Sequence, residues 1–150
     1  KHGGKATYDS FTQHLSQYDR SISQVEDHIT VEYIDFLRNL SLYYEIDDYF
    51  FVHAGLMPNI TIEEHKKGLA ENIGNLKYKL REEMLWIRGE FLESDYDWGK
   101  KIIFGHTTFS RPHVKDNKIG IDGMFHNCGR LHALELPSEK FYTVLSPLND

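Results

Sequence analysis

Apolar residues recur at intervals of three and four over residues 8–17 and again over 24–40, the spacing that lines one face of an α-helix. In the second stretch Val25, Ile29, Ile34 and Leu37 flank that face, and Ser23 followed by Glu26 forms a capping box. Two helices are therefore predicted to open the chain. Residues 42–45 and 49–53 are short runs of aromatic and β-branched character around Ile46-Asp47-Asp48, which predicts two strands and a tight acidic turn. Helix formers return over 61–67 and 76–88, with Gly68 and Gly74 interrupting them, and residues 95–99 read as a polar, aromatic loop. A compact apolar run at 101–104 ends in Gly105-His106, and the segments 118–122, 130–136 and 141–145 repeat the short-strand pattern.

Helices thus come first and strands last, which points to an α+β arrangement rather than alternating parallel units. With 150 residues, 40% of them hydrophobic, the chain can bury one ordinary core. No repeat or linker divides it, so residues 1–150 are expected to form a single domain. An aromatic share of 13% argues against disorder. The net charge of −6 is spread among interspersed acidic and basic residues, so nucleic acid is not an expected partner. No apolar stretch follows the opening Lys1-His2-Gly3-Gly4-Lys5, so neither a signal peptide nor a membrane span is expected. Cys128 stands alone, which excludes an internal disulfide and a thiolate cluster; it reads as a small buried hydrophobe, and the setting as a reducing cytoplasm.

Nine histidines raise the prospect of a metal site. Two apolar runs end alike, in Val52-His53-Ala54-Gly55 and in Phe104-Gly105-His106-Thr107. A strand that delivers an imidazole at its tip, beside a glycine that admits close backbone approach, presents a metal ligand on a rigid element. A lone strand-end histidine is also a common hydrogen-bonded structural residue, and two imidazoles leave open a site that wants about four to six donors. His113, His126 and His132 fit no ligand spacing and read as exposed or structural. Taken by itself, Arg88 could simply lay its stem over Trp86.

The two tips and three other segments carry a resemblance to a known family. FFVHAGLMP and GKKIIFGHTTF resemble the two segments of serine/threonine phosphoprotein phosphatases, of the calcineurin-like metallophosphoesterase superfamily, in which strand tips carry metal-binding histidines. MLWIRGEFL resembles the bacterial members' Trp-Ile-Arg segment, IGIDGMFHNCGRLHALELP their closing pair of strands, and GGKATYDSF the helix after their third metal motif. The resemblance covers nearly the whole chain, in the family's order. It implies the C-terminal half of a four-layer α/β/β/α sandwich, with a mixed sheet and flanking helices. It makes His53 and His106 metal ligands and Arg88 the grip on the substrate phosphate, where a planar guanidinium donates two parallel hydrogen bonds. Asp122 aligns with the family's Asp in the closing segment, either as an acceptor that orients a ligand or as a turn residue.

Three N-terminal motifs of that family, Gly-Asp-x-His, Gly-Asp-x-x-Asp-Arg-Gly and Gly-Asn-His-Glu, do not occur here, and the resemblance places the start of the chain just beyond the third. In intact relatives two divalent metals, manganese first with iron or zinc as alternatives, activate a shared hydroxide, and a histidine of the third motif protonates the leaving oxygen. No catalytic group of that kind is retained, so the chain alone is expected to be inactive and to need the missing N-terminal half, in cis or in trans. The implied activity is hydrolysis of phosphoserine or phosphothreonine in a phosphoprotein. The alternatives are a symmetrical dinucleoside polyphosphate hydrolase or an inactive module that binds phosphate or a partner. Two departures bear on substrate and cleft: residues 66–83 are longer than in compact bacterial relatives, and the closing motif reads Asp-Gly-Met-Phe-His-Asn-Cys-Gly.

Overall fold

The computed structural model describes residues 4–17, 29–71, 74–124 and 129–146. They fall into two compact units, Lys1–Ser41 and Leu42–Asp150.

The first unit holds α1 (Gly4–Thr12) and α2 (Val31–Arg38). Helix α1 begins four residues before the predicted stretch and ends at Thr12, whose hydroxyl donates back to Tyr8 O at 2.8 Å while its carbonyl accepts from Leu15 N in a turn. Such back-bonding loosens a helix and favours its end there. Helix α2 starts after Thr30, in extended conformation and with no side-chain cap, and closes on Asn39, whose amide side chain donates to Asp35 O at 2.8 Å. The capping box of Ser23 and Glu26 lies outside the described residues.

The second unit is built on a mixed five-stranded sheet in the order β1-β2-β3-β5-β4. Strands β1 (Tyr43–Ile46) and β2 (Tyr49–Val52) form the predicted hairpin, with Asp47 at φ 47 in its turn. Strand β3 (Lys101–Phe104) runs parallel to β2, pairing Phe50 with Ile102 and Val52 with Phe104. Strand β5 (Lys118–Gly120) runs parallel to β3 on its other side, and β4 (His113–Lys115) closes the edge antiparallel to β5. The α+β class holds, with flanking helices, but β2, β3 and β5 make a parallel core that the helices-first pattern did not predict. Parallel neighbours need a long connection, and the one from β2 to β3 carries α3 (Ile62–Ala70), α4 (Gly74–Trp86) and α5 (Gly89–Glu93). Strands β6 (Arg130–Glu135) and β7 (Lys140–Leu145) form a separate antiparallel hairpin.

Helix α3 is capped as its sequence requires: Thr61 accepts from Glu64 N, and Glu64 reaches back to Thr61 N at 2.8 Å. Gly68, expected to interrupt a helix, lies inside it. Its role is steric, because a Cβ there would meet Leu80 Cδ1 at 2.4 Å where α3 approaches α4. The core gathers Phe50, Ala54, Leu56, Met84, Phe91 and Ile102, all fully buried, with Phe91 edge-on to Phe104 at 4.9 Å. Burying these side chains is the main stabilising term of the unit. Lys118 is buried among them, its ammonium donating to Phe91 O and Ser94 O and lying 4.6 Å from the centre of the Phe91 ring. No described helix is long and apolar enough to cross a membrane.

Candidate functional site

Because β2 and β3 are parallel and in register, the residues just past their C-terminal ends share one edge of the sheet. His53 follows β2 and His106 follows β3 after one glycine, with Gly105 N donating to His53 O at 2.9 Å. This is the end of a parallel sheet at which ligands are generally held. The two imidazoles meet there: His53 Nε2 and His106 Nδ1 are 3.2 Å apart, and the ring centres 4.9 Å. Two nitrogens bound to one ion at about 2.0–2.1 Å, with angles between about 90 and 109°, would lie about 2.9–3.4 Å apart. That separation is the length of a hydrogen bond between the two rings, and it is also the spacing that two donors to one cation would have. Among the described residues no third histidine, cysteine or carboxylate joins them to form a group that could hold a metal ion. They fit as part of a metal site and do not complete one.

His106 adopts the left-handed conformation at φ 61, uncommon outside glycine, asparagine and aspartate. Burial, followed by the nearby Arg88 guanidinium and His53, holds its imidazole below the usual range, against smaller opposing pulls from Asp122 and from a hydrogen bond to the Trp86 backbone. A ring kept neutral in this way is the form that ligates a metal. Trp86 stands edge-on to the same ring, at 5.4 Å between centres and 86° between planes.

Arg88 sits at the break between α4 and α5, where its backbone (φ −135, ψ −96) leaves helical geometry and the neighbouring Ile87 is buried. That break turns its side chain toward the strand tips. Arg88 Nη1 donates to His106 O at 2.9 Å and to Thr107 Oγ1 at 3.3 Å. The guanidinium is thus tethered to the loop that carries His106, with further donors left for an anion. The end of α4 is itself tied to the β2 tip, since Ala54 N donates to Met84 O at 2.9 Å.

Asp122 lies beside this cluster. Its Oδ1 accepts from Met124 N at 3.3 Å, a turn contact, and its backbone carbonyl accepts from Phe109 N at 2.8 Å. A Cβ on Gly105 would lie 4.0 Å from Asp122 Oδ2, so the carboxylate approaches the His106 loop through a residue that keeps the gap open. His132 is buried and bonds Thr143 Oγ1 at 2.8 Å through Nδ1, and His113 stacks on Phe109 at 4.7 Å. His126 and Cys128 fall outside the described residues. The sequence reading passed over His65, which is buried and joins Thr61 O to Met57 N; no spacing marked it, because its partners come from the loop after β2.

At the opposite ends of the strands a cleft of about 470 Å³ is lined by Asp95, Asp97, Lys115, Asp116 and Asn117. Its carboxylates disfavour a phosphate, so the tips with His53, His106 and Arg88 remain the candidate site.

No protein-family profile and no curated protein matches the sequence. Among solved structures, the chain is similar to the crystal structure of a "putative diadenosine tetraphosphatase", with TM-score 0.54 and 17% identity. The match covers 96% of this chain and 66% of that one. It shows a shared fold.

Proposed function

We propose that this chain is part of a metal-dependent phosphoester hydrolase, contributing two ligands of one metal and the grip on the substrate phosphate. The observation that carries this reading is the 3.2 Å approach of His53 Nε2 and His106 Nδ1, with Arg88 tethered to the same loop. When bound there, a divalent cation such as manganese, iron or zinc would supply Lewis-acid stabilisation of charge on a phosphoryl oxygen. His53 and His106 would hold it through the facing nitrogens, and Arg88 would orient the phosphoryl group beside it through two charge-assisted hydrogen bonds. The remaining donors of a dinuclear site would come from polypeptide beyond these 150 residues, in cis or in trans.

Two substrate classes suit these parts. A phosphoserine or phosphothreonine protein follows from the motif resemblance, and a dinucleoside polyphosphate from the name of the structural neighbour. An inactive phosphate-binding module is the reading outside catalysis. The test is Mn²⁺-dependent hydrolysis of p-nitrophenyl phosphate by the complete polypeptide. Since loss of a mere hydrogen-bond partner to a metal ligand costs about 10–100-fold, His53→Ala and His106→Ala should each lose at least about 100-fold. Turnover unchanged in either variant would overturn the proposal, and binding of phosphate without turnover would establish the inactive module.

A further inference from the structure

Resting on that reading of the site, we infer that Trp86 is a platform for a nucleobase, so that the phosphoester held at Arg88 belongs to a nucleotide. Trp86 is the last residue of α4, between Met84, fully buried, and Ile87, 6% exposed, yet it keeps 48% of its own surface in solvent. A single exposed aromatic is ordinary on a protein surface. This one is distinguished by its place: it stands edge-on to His106, two residues before Arg88, on a helix end tied by hydrogen bond to the β2 tip. The indole thereby lies against the His106 ring just past β3, on a helix whose end is tied to the β2 tip. A rigid exposed ring beside a phosphate grip suits a ligand with a flat apolar group on one side and a phosphate on the other. A nucleotide has that form, and a phosphoserine side chain lacks it.

The experiment compares adenosine 5′-monophosphate, ribose 5-phosphate and a phosphoserine peptide by isothermal titration calorimetry with Mg²⁺, on the full protein and its variants. Base stacking on an aromatic ring is worth roughly a factor of ten or more, so the nucleotide should bind about ten-fold more tightly than ribose 5-phosphate. That margin should vanish in Trp86→Leu and return in part in Trp86→Phe, while Arg88→Ala weakens both ligands alike. Near-ultraviolet circular dichroism, which reports the buried Trp98, checks that each variant keeps its fold. Equal affinities in the wild type, or a margin that survives in Trp86→Leu, overturn the nucleobase platform alone. Tighter binding of the peptide, independent of Trp86, overturns it in favour of a phosphoprotein. Indifference of every ligand to Arg88→Ala, or no binding at all, overturns the underlying site as well.

Discussion

A single hydrogen-bond donor more or less decides how well Arg88 can serve. Its guanidinium already spends Nη1 on His106 O and Thr107 Oγ1, and only a planar fork retains paired donors for an anion after that. Arg88→Lys should therefore raise the KM for a phosphomonoester about ten-fold with little change in metal affinity, read by steady-state kinetics of the complete polypeptide against Mn²⁺ titration. Matching constants would show that a point charge suffices. Lys118 poses a different residue-scale question. Burial pushes its ammonium down to about 8, although Phe91 O and Ser94 O accept from it. In the unfolded chain the same group titrates near about 10.4. Between those values the unfolded chain holds a proton that the folded chain has released, so this group's contribution to stability rises with pH. Relative to Lys118→Met, the wild type should gain up to about 3 kcal/mol between pH 7.5 and 10.5, measured by urea denaturation. A constant difference across that window would mean the buried amine stays charged.

Elements respond to glycine placement more than to propensity. Gly55 lies just past the β2 tip, and a Cβ there would meet the Phe91 ring at 2.5 Å, with Phe91 fully buried and unable to yield. Gly55→Ala should destabilise the protein by about 1–3 kcal/mol and weaken metal binding by shifting His53. A melting temperature within a degree of wild type would show that the ring has room. Two elements depart from the sequence expectation. Gly68 looks like a helix breaker in sequence, but the close approach of Leu80 gives it a packing role inside α3. Strand β4 carries only three residues, His113–Lys115, too short for alternation to register, and it exists because β5 offers an edge to pair with. Of the predicted apolar face, Ile34 and Leu37 lie in α2, where Ile34 is half-buried and Leu37 is exposed, Ile29 precedes the helix, and Val25 lies outside the described residues.

At the scale of the molecule, the hairpin of β6 and β7 stands apart. The face formed by Leu131, Ala133, Tyr142 and Val144 is exposed, and both strands of this two-stranded sheet have an outer edge. Unpaired apolar edges promote association. The 150-residue chain on its own should elute in size-exclusion chromatography as a concentration-dependent mixture of species, and Val144→Lys should move it toward the monomer. A monomer at every concentration would indicate that the face is tolerated in water. The chain spans 66% of the length of its structural neighbour.

The sequence by itself determined the local pieces: the helix after Thr61, the hairpin around Asp47-Asp48, the apolar runs at 101–104 and 130–136, and two histidines each placed after a strand. Periodicity and turn chemistry act over a few residues, so they can be read along the chain. What only the tertiary structure decided is that the two histidines are neighbours. His53 and His106 are separated by three helices in sequence, and their 3.2 Å meeting follows from the parallel register of β2 with β3. The break between α4 and α5 brings the Arg88 side chain to the His106 loop, and the packed core decides that Lys118 and His65 are buried. Those facts arise from pairing between distant segments, a long-range property on which no local pattern reports.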